Sequence, residues 1–295
     1  MELQGQIEAF RKKGLGVAAI SYDSPAVLAA FSRQYGITFP LLSDTASATI
    51  KGYGILNTVA DEALGSGRDD AAVAADVEKY VSAVSPAAAA LVRGTPFPGT
   101  FMLDARGRVT SRFFEEFYRE RSTASSIMLR LGGVNAPVQA SRISTDHVDV
   151  TTYPSDPVVS PGNRLALVVN VTPHPRIHLY APGASSYRVV SLGIAPQPYV
   201  RVLPPQYPPS EVYFFKPLKE RVPVFQRPFT LLQEVVLEVT PEAEAALDKQ
   251  TTLTLAGTLE YQACNDTLCF NPTSLPLSWT LALKPNITQR VGRQR

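Results

Sequence analysis

The sequence is poor in cysteine, in long apolar runs and in charge of one sign. Its 295 residues include two cysteines, Cys264 and Cys269, and residues 1–263 contain none. No apolar run reaches the roughly 18 residues that a transmembrane helix needs, and the start at Met1 lacks the basic end and the apolar core of a signal peptide. The net charge of +2 gives no broad basic field, which argues against nucleic acid as a partner. Taken literally, these absences predict a cytoplasmic chain without a membrane span.

The rest of the composition is typical of a folded protein with two domains. Hydrophobic residues make up 45% of the chain and charged residues 18%, and a chain of this length commonly forms two domains. Most of the 25 prolines lie at Pro137 or later, which favours β-structure with many loops. We predict a first domain over 1–132, a linker over 133–146, a second domain over 147–285 and a tail over 286–295.

Helices and strands alternate in the predicted first domain. Leu3, Ile7 and Phe10 have helical spacing, and the apolar run from Leu15 to Ser21 is typical of a strand buried on both faces. The further predicted elements are a helix from Ser24-Pro25 to Tyr35, a strand over 39–44, helices over 45–51, 69–80 and 86–93, strands over 99–103 and 108–114 around a turn at 104–107, and a helix over 120–131. This order predicts a mixed sheet with helices on both faces.

The predicted second domain consists of strands. Short alternating runs, separated by turn residues, occur over 148–152, 164–171, 177–180, 187–192, 212–214, 229–239, 251–261 and 274–283. Their number and spacing predict a β-sandwich of about seven to nine strands.

The two cysteines lie in the stretch from Leu259 to Pro272, between two of these strands. Asn265, Asp266 and Thr267 are turn formers, so Cys264 and Cys269 should face each other on the arms of a hairpin, where a small local twist would bring them close enough for a disulfide. The residues alone leave three roles open. The pair could be a structural staple, although so short a loop removes little entropy from the unfolded chain. It could be a redox pair that cycles between dithiol and disulfide, or part of a metal site, which would need further ligands.

The three histidines and Asp266 are weaker candidates. His174 and His178 could bind a metal ion together on a helix, but the neighbouring prolines exclude a helix. On a strand the two residues would lie about 13 Å apart. We therefore predict no metal and no cofactor, and we expect His178 to be a packed or hydrogen-bonded strand residue; His147 gives no signal. Asp266 either tunes the thiols or caps the turn, and we favour the turn.

The second domain resembles the N-terminal domain of the DsbD family of thiol:disulfide interchange proteins. The resemblance extends over about Val148 to Leu283 and is carried by Tyr-Gln-Ala-Cys-Asn-Asp-Thr-Leu-Cys-Phe-Asn-Pro, by Ile-His-Leu-Tyr-Ala-Pro-Gly from Ile177, and by Gln206-Tyr-Pro. It implies an immunoglobulin-like sandwich, a redox role for Cys264 and Cys269, thioredoxin-like partners and a periplasmic or other extracytoplasmic location. It also implies aromatic residues that shield the sulfurs, for which Tyr180 and Tyr187 are the candidates.

The first domain resembles the thioredoxin-like fold, in its peroxiredoxin (AhpC/TSA) branch. The matching stretches are Val17 to Pro25, Tyr35 to Asp44 and Pro98 to Gly107. Pro98 corresponds to a proline that is often cis in such proteins, which leaves a cis and a trans Phe97–Pro98 bond open here. The family's reactive cysteine is absent, and neither Ser21, Tyr22 nor Asp23 comes with a base that could replace it. We expect the sequence to begin inside this domain, which is then an incomplete α/β thioredoxin-like unit.

The leading hypothesis is a thiol–disulfide exchange protein that uses Cys264 and Cys269. If it is active, it is a thiol–disulfide oxidoreductase, and no peroxidase activity is expected. The expected partners are thioredoxin-like or other thiol–disulfide proteins, including its own first domain. The alternative is a non-catalytic interaction protein with a degenerate first domain and a structural disulfide.

Overall fold

The computed structural model describes residues 2–57, 96–114, 120–132, 140–215 and 219–285. The first half alternates short helices and strands. Its elements are α1 (Glu2–Gly5), α2 (Ile7–Lys12), β1 (Ala19–Ser21), α3 (Pro25–Tyr35), β2 (Leu41–Ser43), α4 (Ala48–Gly52), β3 (Gly99–Leu103), β4 (Val109–Phe114), β5 (Arg121–Ser122) and α5 (Ala124–Arg130). The helices predicted over 69–80 and 86–93 lie outside the described residues.

The strands of the first half form two small sheets. β1 and β2 pair in parallel, and β3 and β4 form an antiparallel hairpin. Within the described ranges these are two separate two-stranded sheets rather than the single mixed sheet that the order of elements predicts. The burial predicted for the first strand is also wrong. Ile20 is 44% exposed, because β1 has a single paired neighbour among the described residues.

The helix α3 forms where its sequence predicts it. The Ser24 side chain accepts a hydrogen bond from the Val27 amide, and Pro25 occupies the first turn, where a missing N–H costs nothing. Gly36 ends the helix with a φ of 63°, a left-handed conformation that glycine adopts without strain. No helix in the described ranges is long and apolar enough to cross a bilayer.

The second half consists almost entirely of strands. Its elements are β6 (Ser141–Ser144), β7 (Val148–Pro154), β8 (Val158–Val159), β9 (Asn163–Pro173), β10 (His178–Tyr180), β11 (Ser191–Ile194), β12 (Val200–Val202), β13 (Glu211–Phe215), β14 (Glu220–Phe225), β15 (Phe229–Leu237), α6 (Pro241–Leu247), β16 (Thr252–Tyr261), β17 (Ala263–Cys264) and β18 (Thr273–Leu283). They form a six-stranded sheet β12-β15-β9-β7-β6 with β5 added to β9, and two four-stranded sheets, β11-β16-β18-β8 and β13-β14-β10-β17.

The main core joins side chains of the six-stranded sheet to those of the β16–β18 sheet. Leu167, Leu231, Leu255 and Trp279 belong to one buried cluster, and each is at most 2% exposed. Gly257 lies beside the tryptophan. A Cβ at this position would come within 2.9 Å of the indole ring and 2.8 Å of a backbone oxygen, so a larger residue does not fit. The strand-rich second half is therefore as predicted, and the immunoglobulin-like type of the sandwich stays a prediction.

Residues 120–132 pack against the six-stranded sheet. Arg121 and Ser122 form the short strand β5, which pairs in parallel with the start of β9, at Asn163 and Arg164. Because of this pairing, the helix that was predicted from residue 120 begins later, after Thr123. The Thr123 side chain accepts a hydrogen bond from the Ser126 amide. The same threonine donates a 2.5 Å hydrogen bond to Asp156.

A buried carboxylate holds α5 to this sheet. Glu234, 2% exposed, forms ion pairs with Arg130 of α5 and with Arg164 of β9, and it accepts a hydrogen bond from Gln206. The predicted linker over 133–146 also contains an ordered strand, because Ser141–Ser144 pairs with β7. The division into domains stays a prediction, and the described part of this linker is structured.

Candidate functional site

The cysteine hairpin projects from the end of the longest strand pair. β16 and β18 are paired up to Tyr261 and Thr273. The intervening chain then joins another sheet, where β17 pairs with β10 and places Cys264 opposite His178. Cys264 and Cys269 form an antiparallel bridge, closed by a hydrogen bond from the Phe270 amide to the Ala263 carbonyl. The predicted hairpin is therefore formed.

The two cysteines are joined by a disulfide, and they differ in exposure. The Cα atoms of Cys264 and Cys269 are 4.1 Å apart. Cys264 is 0% exposed, whereas Cys269 is only partly buried. Leu268, the residue before it, is 57% exposed at the tip of the hairpin. A thiolate that approaches from solvent therefore reaches Cys269 before Cys264.

Asn265 holds the turn between the cysteines. Its side-chain oxygen accepts hydrogen bonds from the amides of Thr267, at 2.9 Å, and Leu268, at 2.8 Å. This is the local side-chain to backbone bonding that makes asparagine a turn former. The prediction that Asp266 caps the turn is wrong. The Asp266 carboxylate instead accepts a 2.8 Å hydrogen bond from the Tyr213 hydroxyl.

Of the two tyrosines proposed as shields, Tyr180 contacts the disulfide directly. Its hydroxyl lies 3.3 Å from Sγ of Cys269. Tyr187 stacks on the Tyr180 ring, with centroids 3.9 Å apart, and donates a hydrogen bond to Glu220. Burial raises the pKa of the Tyr180 hydroxyl well above its ordinary value. The hydroxyl therefore keeps its proton at neutral pH and can donate it to the sulfur.

Two further residues at the site, His178 and Tyr213, carry contacts that the sequence did not predict. His178 is 3% exposed, and its ring centroid lies 4.4 Å from that of Tyr213 and 5.6 Å from that of Tyr180. Burial lowers the pKa of His178, and the negative charge of Asp266 opposes this in part. The prediction of a packed strand residue holds for His178, but its position beside the cysteines depends on the register of β10 with β17. Alternation along β13 is the one signal that could have indicated that Tyr213 faces inward.

The other histidines do not join the site as metal ligands. Nδ1 of His174 lies 3.1 Å from the Asp146 carbonyl oxygen and Nε2 lies 3.4 Å from Asp149. The ring of His147 stacks on Phe270 at 4.0 Å. Among the described residues, no group of three or more His, Cys, Asp or Glu side chains could hold a metal ion.

The candidate residues of the first half lie in a part of the sequence without cysteine. The Ser21 hydroxyl donates a 2.6 Å hydrogen bond to the Asp23 carboxylate, and all three histidines of the chain belong to the second half. The Phe97–Pro98 bond is trans, since the described ranges contain no cis peptide bond. The Phe97 amide donates to the Ile55 carbonyl and the chain continues directly into β3, which holds this segment extended. Pro98 is therefore not a cis-proline in this structure.

Comparison with known families confirms both resemblances. Residues 1–112 match the AhpC/TSA family, and residues 149–276 match the family described as thiol:disulfide interchange protein DsbD, N-terminal. The chain thus joins a stretch similar to the AhpC/TSA family to a stretch similar to the DsbD N-terminal family, and the bonded cysteine pair lies in the second. A comparison with curated proteins gives no match.

Two solved structures are similar to parts of the chain. The N-terminal periplasmic domain of ScsB from Proteus mirabilis is 14% identical, with a TM-score of 0.36, over 49% of this chain and 51% of that one. The reduced DsbD N-terminal domain of Neisseria meningitidis is 14% identical, with a TM-score of 0.26, over 38% of this chain and 74% of that one. The chain thus spans about half the length of the ScsB structure.

Proposed function

We propose that this chain, which joins an AhpC/TSA match to a DsbD N-terminal match, exchanges disulfides with partner proteins through Cys264 and Cys269. The observation that carries the proposal is the unequal exposure of the bonded pair. Cys269 is partly exposed near the tip of a hairpin, whereas Cys264 is fully buried. Accessible disulfides are the ones that thiolates attack, whereas both sulfurs of a structural staple are usually shielded.

The exposure assigns a role to each sulfur. A partner thiolate attacks Sγ of Cys269, the S–S bond breaks, and its electron pair leaves on Cys264. A mixed disulfide then joins the partner to Cys269. A second partner thiol attacks the partner's sulfur in that bond and releases Cys269. In total the partner dithiol is oxidised to a disulfide, while Cys264 and Cys269 gain two electrons and two protons. The reverse sequence reduces a partner.

The same proposal makes the partner a separate thioredoxin-like protein rather than the chain's own first domain. Residues 1–263 contain no cysteine. The strand β5 meets β9 at Asn163, whereas the cysteine hairpin lies near the other end of β9, where Phe270 stacks on His147 beside Pro173. A strand of this length separates its ends by about 30 Å. Residues 121–122 are thus attached at the end of β9 that lies away from the disulfide.

An extracytoplasmic location forms part of the proposal. Disulfides form and persist in oxidising compartments, where cellular reductants do not keep thiols reduced. The similar ScsB structure is described as a periplasmic domain.

Redox titration tests the proposal. The full chain is equilibrated in glutathione and dithiothreitol buffers, the free thiols are alkylated, and the mass of the protein is measured. We expect Cys264 and Cys269 to convert together between disulfide and dithiol within the range of these buffers. A bond that stays closed in the most reducing dithiothreitol buffer would instead support the structural disulfide of a non-catalytic interaction protein, which the complete burial of Cys264 favours.

Single-cysteine variants test the assignment of roles. In Cys264→Ser only Cys269 remains, and in Cys269→Ser only Cys264 remains. We expect an oxidised thioredoxin to form a mixed disulfide about tenfold faster or more with the first variant, because access governs attack. Equal rates would contradict the assignment.

A further inference from the structure

A buried histidine faces the buried cysteine. His178 in β10 is the direct antiparallel partner of Cys264 in β17. Directly opposite residues project to the same face of a sheet, with Cβ atoms about 4.5–5.5 Å apart. Both residues are at most 3% exposed. The imidazole therefore lies beside the sulfur that is cut off from solvent.

Among the residues that the structure describes, Asp266 supplies the negative charge that acts on the imidazole. The aromatic rings of Tyr213 and Tyr180 pack against it, and Asp266, held by the Tyr213 hydroxyl, acts on it from the hairpin loop. The next carboxylate, Glu220, is bound by Tyr187 on the far side of Tyr180.

Within the ranges that the structure describes, the imidazole nitrogens of His178 have no hydrogen-bonding partner. The imidazole is therefore free to form a new hydrogen bond when the disulfide opens.

Disulfide opening creates a buried thiolate that requires a hydrogen-bond donor, and this imidazole can provide one. Attack on Cys269 leaves the electron pair on Cys264, which thereby becomes a thiolate at a position with 0% exposure. A buried thiolate without a hydrogen-bond donor is strongly disfavoured, because burial penalises the charged form. Because Cys264 is buried, His178 on the adjacent strand is better placed to contact this sulfur than water or a side chain of the partner protein.

We propose that His178 stabilises the Cys264 thiolate when the disulfide opens, by donating a hydrogen bond from an imidazole N–H to the sulfur and sharing its proton with it. This inference rests on the proposed thiol–disulfide exchange. The balance is that of the exchange itself. The partner thiolate bonds to Cys269, and the electron pair of the S–S bond moves to Cys264. The neutral imidazole stabilises this thiolate through an N–H hydrogen bond, and only the protonated imidazole transfers a proton to it, which solvent then replaces. His178 acts as a positioning and proton-sharing residue for Cys264.

The pH dependence follows from the environment of the histidine. Burial lowers its pKa, and Asp266 offsets part of this effect. Near neutral pH the imidazole is therefore uncharged and donates a hydrogen bond. As the pH falls through its pKa, it becomes a cation, which stabilises the leaving thiolate further. The opening rate per attacking thiolate should thus rise as the pH falls.

The test measures disulfide opening by dithiothreitol in the full chain, from about pH 5 to pH 9, with each rate divided by the thiolate fraction of the reagent. His178→Phe keeps the bulk of the ring and removes the donor, so we expect opening about tenfold slower at neutral pH, as for the loss of a hydrogen bond to a charge. His178→Gln keeps a donor that does not titrate. It should stay within about threefold of the wild type at neutral pH and lose the rise at low pH.

Controls separate the possible failures. Tyr213→Phe removes a hydroxyl from the same cluster and leaves the imidazole in place, so it should keep the rise at low pH. Thermal unfolding of each oxidised variant checks the fold. If His178→Phe does not fold, the proposal is decided by His178→Gln alone, in which the rise of the opening rate at low pH should be lost. Opening with the same rate and pH profile in all variants would overturn the role of His178 and leave the exchange function standing. A disulfide that dithiothreitol does not open at all would overturn the exchange function itself.

Discussion

The two cysteines differ in their contact with Tyr180 as well as in their exposure. Its hydroxyl lies 3.3 Å from Sγ of Cys269, and burial raises its pKa so that the proton is retained. A hydroxyl donor next to a thiolate stabilises the charge. In the reduced protein, Tyr180 is therefore placed to favour the thiolate form of the accessible cysteine.

Substitution of Tyr180 by Phe tests this contact. The ring, and with it the stacking on Tyr187, is retained, while the hydroxyl is lost. In a Cys264→Ser background, we expect alkylation of Cys269 at neutral pH to slow about tenfold, since hydrogen bonds to charged groups contribute roughly 1.5–3 kcal/mol. Tyr187→Phe is the matched control and should leave the rate unchanged. Equal rates in all three proteins would show that the hydroxyl does not act on the sulfur.

The sequence indicates part of this residue-scale picture. The cysteine pair follows from two turn-flanked strands, and Tyr180 follows from a family resemblance. The proximity of His178 and Tyr213 could not be predicted in this way. It depends on the registers that align β10 with β17 and with β14, and these pairings join strands that are distant in the sequence.

The hairpin turn is an element stabilised by one side chain. Asn265 accepts two backbone hydrogen bonds and a third, at 3.0 Å, from the Thr267 hydroxyl. The disulfide closes the same loop covalently. In the reduced state the turn must keep the two thiols together without that bond, so the contribution of Asn265 should be larger there.

We therefore expect Asn265→Ala to lower the free energy of unfolding by about 1–2 kcal/mol, with the larger loss in the reduced protein. Urea unfolding of the oxidised and the reduced protein measures both values. Asp266→Asn, which keeps an acceptor for Tyr213 and leaves the turn intact, serves as the control. A loss that is the same in both redox states would contradict the coupling of the turn to the disulfide.

Elements with local signals form as predicted, whereas the burial of the first strand, which needs distant partners, does not. The helix α3 begins at a serine cap with proline in its first turn and ends at Gly36, all of which are local properties. The run from Leu15 to Ser21 has the composition of a buried strand. Its burial nevertheless depends on neighbours elsewhere in the chain, and Ile20 is 44% exposed in the structure.

At the scale of the whole molecule, a buried ionic cluster joins the two halves. Arg130 lies in the segment assigned to the first domain, whereas Glu234 and Arg164 belong to the six-stranded sheet. The Arg130 guanidinium also lies 5.2 Å from the centre of the Phe113 ring in β4. The arginine thus contacts both halves at once.

Removal of this arginine should destabilise the protein. Arg130→Met leaves the buried Glu234 with fewer partners, and we expect a loss of about 2 kcal/mol in the free energy of unfolding, below the roughly 3–5 kcal/mol of an unpaired buried charge because Arg164 remains. Arg227→Met, at the exposed pair with Glu211, is the matched control and should cost less than about 1 kcal/mol.

A double variant makes this prediction sharper. Arg130→Met combined with Glu234→Gln removes the buried negative charge together with its partner. We expect it to lose less stability than the sum of the two single variants, because residues in contact are energetically coupled. Strict additivity in urea unfolding would show that the pair does not interact.

This junction shows why the linker was difficult to predict. The stretch from Gly132 to Ser144 lacks periodicity and contains residues typical of loops. Yet Ser141–Ser144 pairs with β7, and Arg121–Ser122 pairs with β9. Short strands of two to four residues leave almost no pattern in a sequence, and their stability comes from the sheet that they join.

The single tryptophan supplies an optical reporter for one half of the molecule. Trp279 is 2% exposed in the core between the two large sheets, and no other tryptophan occurs in the chain. Its fluorescence will therefore shift when the second half unfolds. It will change little when unfolding is confined to the first half. Circular dichroism at wavelengths dominated by helices reports mainly on the other half. Together, the two signals reveal whether the halves melt as one cooperative unit.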